Sequence, residues 1–110
     1  MGSEAKTGVA AAQEQPSGRE VIKLRKPVKW EDKELSEIVL DLDGLTGDDL
    51  AAAETEMAAS GIVPVFVDVS KRYHMHVAAK AAGVSVELLG KLKAPDATKV
   101  CMAVQNFLMG

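Results

Sequence analysis

Two histidines and one cysteine are the side chains of this sequence with the most obvious chemical potential. His74 and His76 lie two residues apart, which places them on nearly opposite faces of a helix, where they cannot share a metal ion. On a strand they could share one, but no further ligand is spaced to complete a tetrahedral set. We therefore expect two ordinary histidines on a helix surface. Cys101 falls within an apolar helical stripe, where burial predicts an inert thiol.

An acidic run from Asp41 to Asp49 resembles a calcium-binding loop. The EF-hand pattern needs glycine at its sixth position and glutamate at its twelfth. Counted from Asp41, glycine comes fourth, at Gly44, and Ala52 stands twelfth. These acids are better interpreted as turn and capping residues. No glycine-rich phosphate loop and no nucleophile elbow is present, so we predict a protein that is not an enzyme and needs no cofactor or metal.

Composition and charge narrow the class of protein further. The chain has 110 residues, 47% of them hydrophobic and 26% charged, with a formal net charge of −3. One short basic cluster, Lys23, Arg25, Lys26 and Lys29, is interpreted as a solvated strand face, so no nucleic acid partner is expected. The single cysteine suits a reducing compartment. With neither a signal peptide nor an apolar run of about 20 residues, we expect no membrane association and a cytoplasmic location.

The first half of the chain predicts an arm followed by a β-hairpin. Residues 1–19 lack an apolar period and are expected to form a disordered arm ahead of a single domain at 20–110. Alternation around Ile22 and Leu24 predicts a strand that lies at a sheet edge or stops at Pro27. A polar turn and a second apolar run complete a hairpin at about 21–42.

The second half predicts helices at about 47–60, 71–82, 86–92 and 96–109. Thr46 and Ser70 are placed as N-caps, and Gly61 and Gly83 as stops. The apolar segment 62–69, broken by proline, is either a short strand or an extended crossing. The fold class is therefore α+β, an antiparallel hairpin packed against three to four short helices.

The last predicted helix carries both a core stripe and a candidate partner surface. Apolar residues recur at helical spacing and predict core contacts at Ala97, Val100, Cys101, Val104, Phe107 and Leu108. Met102 and Met109 fall on the opposite side, seven residues apart. Methionine is common at surfaces that accept helical partners, so Met102 and Met109, with Phe107 at the edge, form the candidate binding surface. A second core contact and simple exposure are the alternatives.

Several short motifs, in order over residues 21–110, resemble the small tail assembly proteins of contractile-tailed and Mu-like phages. They are Leu24-Arg25-Lys26-Pro27-Val28, Glu37-Ile38-Val39-Leu40, Leu45-Thr46-Gly47-Asp48-Asp49-Leu50, Val77-Ala78-Ala79-Lys80-Ala81-Ala82-Gly83-Val84, Leu89, Leu92, Asp96 and Val104-Gln105-Asn106-Phe107-Leu108. The resemblance implies a tail assembly chaperone that binds the tape measure protein in the host cytoplasm and is absent from the mature virion. Contact with the tail tube protein and self-association remain open.

The family also implies a longer product made by −1 ribosomal frameshifting. Asn106-Phe107-Leu108 can be encoded by a slippery T-TTT-TTG heptamer. The main alternative is a prophage DNA-binding regulator or antitoxin, because residues 70–92 could form a helix-turn-helix with Gly83 at the turn. Basic residues there form no base-reading row, which favours the chaperone.

Overall fold

A computed structural model describes residues 19–110 as a β-hairpin followed by four helices. The arm predicted ahead of it lies outside the described residues, except that Arg19 already belongs to the first strand. The arrangement confirms the predicted α+β class. Its elements are β1 (Arg19–Trp30), β2 (Lys33–Asp41), α1 (Gly47–Ala59), α2 (Lys71–Ala82), α3 (Val86–Gly90) and α4 (Ala94–Met109).

β1 and β2 pair antiparallel through a tight two-residue turn. Glu31 and Asp32 form this turn with φ values of 47° and 66°, the left-handed conformation that a type I′ hairpin turn has at both positions. In the half of the hairpin away from the turn, Ile22 opposes Ile38, and both are buried under the helices. The hairpin therefore forms one face of the core.

An irregularity in β1 changes the register of the hairpin. Lys23 opposes Glu37, whereas Val28 opposes Leu35, so the β1 residues 24–27 face only Ser36. The strand does not stop at Pro27, as one alternative had it, because the bulge places this residue where no ladder hydrogen bond is needed. The bulge adds an odd number of residues to β1. As a result, β2 turns one face towards the core on one side of the bulge and its opposite face on the other side. Ile38 and Leu40 are buried on one side of the bulge, and Leu35 is half-buried on the other.

Local capping signals set the helix boundaries. Thr46 and Asp49 form a reciprocal capping box, with the Asp49 N–H donating to Thr46 Oγ1 at 3.2 Å and the Thr46 N–H to Asp49 Oδ2 at 2.9 Å. Ser70 Oγ accepts the Tyr73 N–H at the start of α2. Gly83 ends α2 with a φ of 68°.

α2 is the central helix of the domain. It packs against α1, α3, α4 and β2, while α4 lies along β1. The core between them is built from small aliphatic side chains and one tyrosine. Its most deeply buried members are Leu40, Leu42, Ala53, Met57, Val77, Ala78, Leu88, Leu89, Val100 and Val104.

Candidate partner-binding surface

Among residues 19–110, the exposed large apolar side chains are most concentrated at residues 62–69, between α1 and α2, which we call the apolar loop. Val63, Val65, Phe66 and Val69 are 79%, 87%, 72% and 57% exposed. Neither predicted form is complete: the loop forms no strand, and it ends in a short 3₁₀ turn at Val67–Val69. Four large exposed apolar residues within one short segment indicate an interaction site, because single exposed apolar residues are common on surfaces but groups of them are not.

The apolar loop is attached to the core at both ends. Gly61 turns the chain out of α1 with a φ of 90°, and the Ile62 N–H then donates to the Met57 carbonyl at 3.2 Å. Ile62 and Val67 are half-buried and pack against the core. Near the other end, Nε2 of His74 lies 2.9 Å from the carbonyl oxygen of Asp68. The exposed side chains are therefore presented by a backbone that is held in place.

The two histidines of α2 are buried, so the expectation of surface residues was wrong. His74 is 2% exposed and His76 is 7% exposed. His74 lies against Asp68 of the apolar loop and His76 faces Glu56 of α1, so two residues on nearly opposite faces of α2 are both enclosed. Burial lowers the pKa of His74 below its usual value of 6.5, which favours the neutral ring that donates to Asp68.

His76 faces a small polar cluster that joins α1 to α2. Its Nδ1 lies 3.5 Å from Glu56 Oε1, and Lys80 Nζ donates to Glu56 Oε2 at 2.7 Å. The hydrogen bond from Lys80 is the main cause that holds the pKa of Glu56 below its usual value. Within residues 19–110, His76 Nδ1 has no hydrogen-bond partner. The cluster joins α1 to α2, and Glu56 at its centre is about half exposed.

Cys101 is buried in α4, as the sequence predicted. Its Sγ lies 3.6 Å from the backbone carbonyl of Lys71, and its side chain is 4% exposed. Burial raises the pKa of this thiol, which keeps it protonated at neutral pH. A protonated and enclosed thiol is not available as a nucleophile or as a metal ligand.

The predicted surface on α4 is exposed but is not one continuous face. Met102 and Met109 are 54% and 67% exposed, and their spacing places them on the same side of the helix, which we call the α4 outer face. Phe107 was expected both in the core stripe and at the edge of this surface. It is exposed rather than in the core, and at 100° per residue it points well away from both methionines. The structure therefore brings together two of the three predicted residues.

The sequence offered a signal for the apolar loop that its interpretation missed. A β-branched, apolar stretch broken by Pro64 suggests a strand, but a strand needs a neighbour, and the described sheet has only β1 and β2.

Over residues 19–110, no group of three His, Cys, Asp or Glu side chains is placed to hold a metal, and no helix is long and apolar enough to cross a membrane. No protein-family model, curated protein or solved structure matches the chain.

Proposed function

We propose that this chain is a phage tail assembly chaperone that binds the tape measure protein and promotes tail tube assembly in the host cytoplasm. The observation that supports this best is the apolar loop, four exposed apolar side chains on a backbone fastened by Ile62, Val67 and His74. A surface held ready in this way suits a protein that shields another chain. The α4 outer face is a second candidate contact.

The physical mechanism follows from the chemistry of the two surfaces. A long helical tape measure protein exposes apolar stripes before the tube closes around it, and such stripes are bound by shallow apolar surfaces. Binding at each site must be weak enough for release when tube subunits arrive. Many copies along one chain supply the total affinity. In this proposal the chaperone is absent from the mature virion, and a −1 frameshift product extends its C-terminus.

Co-expression with the tape measure protein from the same gene cluster tests this proposal. Val65→Asp with Phe66→Asp should abolish co-purification, and Met102→Asp with Met109→Asp should weaken it. The matched control is Ala51→Asp with Thr55→Asp on the exposed side of α1, which adds the same charge and should retain the complex. Unaltered capture by the apolar-loop variant, or no complex with the unmodified chain, would count against the proposal.

The alternative DNA-binding regulator has less support. α3, the candidate recognition helix, has five residues, and its Leu88 and Leu89 are buried in the core. Its exposed Glu87 is acidic and would face phosphate unfavourably. A salt-dependent gel shift with fragments of the surrounding prophage DNA separates the two functions, because only the regulator should form a specific complex.

A further inference from the structure

Where β1 meets the start of α4, the structure gathers basic residues from two distant parts of the sequence. Arg25 and Lys26 from the bulge of β1 line one cleft together with Lys93, the N-cap of α4. Lys99, six residues further along α4, donates to the backbone carbonyl of Lys23 at 3.1 Å. The basic cluster seen in the sequence is thus enlarged by two lysines of α4.

The positive charge in this cleft is compensated only in part within residues 19–110, by Asp96, which also lies 3.7 Å from Lys99 Nζ. None of Arg25, Lys26 and Lys93 forms an ion pair with another residue of 19–110. The one acid that lines the cleft, Asp96, is fully buried and its carboxylate accepts the backbone N–H groups of Arg25 and Lys26. An incoming ligand therefore meets three exposed cations, while the single negative charge of Asp96 is buried behind them.

The N-terminus of α4 adds positive electrostatic potential at the same cleft. Lys93 supplies no side-chain cap, so the first backbone N–H groups of this 16-residue helix are not capped by its N-cap side chain. The helix dipole places partial positive charge at the same position. Side-chain charge and the helix dipole therefore act together at one cleft in a protein whose formal net charge is −3.

We propose that this cleft binds an acidic segment of a partner protein, with carboxylates contacting Arg25, Lys26 and Lys93. Charge complementarity identifies the occupant, since three separated cations on two elements match several spaced carboxylates. A nucleic acid fits less well. No aromatic side chain lines the cleft for base stacking, and the short row of three cations does not follow a long polyanion.

Fluorescence anisotropy with a labelled octaglutamate peptide tests the cleft on the full chain. We expect saturable binding that weakens as salt is raised, and an affinity about tenfold lower for Arg25→Glu with Lys93→Glu. The control, Lys33→Glu with Lys71→Glu, makes the same charge change at exposed positions elsewhere and should change the affinity less than about twofold. Arg25→Gln with Lys93→Gln should also weaken binding, which excludes repulsion as the sole cause.

Circular dichroism establishes that each variant is folded before its affinity is compared. Equal losses in the cleft and control variants would overturn the proposal, because binding would then follow net charge alone. Tighter binding of a single-stranded oligonucleotide of equal charge would overturn it in favour of a nucleic acid site. The measurement needs no tape measure protein, so its failure is distinct from failure of the proposed chaperone function.

Discussion

The carboxylate of Asp96, in the first turn of α4, accepts the backbone N–H of Arg25 in the bulge of β1 at 3.0 Å, across 71 residues of sequence. Its second oxygen accepts the N–H of Lys26 at 3.2 Å. The bulge moves these two N–H groups out of register with β2, so they need an acceptor other than the strand. Asp96 is that acceptor. Hydrogen bonds from these backbone groups hold the pKa of Asp96 below its usual value, with the one from Arg25 the largest cause. One side chain therefore joins the hairpin to the helical layer.

Asp96→Ala should lower the melting temperature of the protein by about 10 °C, because two backbone N–H groups at the bulge would lose their acceptor. Thermal unfolding followed by circular dichroism measures this. Asp48→Ala is the matched control, since Asp48 also lies in the first turn of a helix but is exposed. If both variants shift the melting temperature equally, the bond to the bulge is not an important source of stability.

Substitutions in the hairpin turn should raise the melting temperature. Glu31 and Asp32 both adopt positive φ. This conformation costs about 1 kcal/mol at Glu31, whereas aspartate tolerates it better. Glu31→Asn with Asp32→Gly supplies the preferred turn residues and should raise the melting temperature by about 5 °C. Glu34→Gly, within β2, should lower it instead, because glycine weakens a strand. A lower melting temperature in the turn variant would contradict the assigned turn.

The apolar loop should affect surface properties and not the stability of the fold. Val65→Asp with Phe66→Asp changes two exposed side chains, so the melting temperature should shift by less than about 3 °C. Binding of the dye ANS, which reports exposed apolar surface, should fall. Val77→Asp provides the contrast, since Val77 is fully buried and its replacement should unfold the protein. A large loss of stability in the loop variant would show that these side chains pack within the fold.

Features set by local chemistry were predictable from the sequence, and features set by tertiary neighbours were not. The capping box at Thr46 and Asp49 and the stop at Gly83 each depend on a few adjacent residues, and both occur as expected. The roles of Asp96 and His74 depend on which elements surround them. No local pattern reveals that a first-turn aspartate meets a bulge far away in sequence, or that both sides of α2 are covered.

The conformation of the apolar loop also depended on tertiary neighbours that the sequence does not reveal. Its composition favours a strand, but strand formation requires a partner with free backbone groups, and neither β1 nor β2 pairs with it. The surface on α4 was only partly predictable for a related reason. Helical periodicity correctly separates Met102 from the buried Val100, but it cannot tell how far the core extends, and Phe107 lies beyond it.

His74 makes the stability of the protein depend on pH. Burial lowers the pKa of this histidine in the folded chain, whereas in the unfolded chain it titrates near 6.5. Below that value the unfolded state binds more protons, so stability is complete above pH 6.5 and is lost as the pH falls through 6.5 towards the folded pKa. The melting temperature should therefore fall between about pH 7.5 and about pH 5.5. The charged ring keeps its Nε2 donor but is disfavoured where it is buried beside Asp68, so we expect the end of the apolar loop to loosen first.

His74→Gln keeps an amide donor for the Asp68 carbonyl but cannot titrate, so its melting temperature should change less over the same pH range. Hydrogen exchange measured at both pH values should show faster exchange around Val67–Val69 in the unmodified protein at the lower pH, and little change in the variant. A pH dependence identical in the two proteins would assign the effect to other groups. It would leave His74 as a structural donor without a role in acid sensitivity.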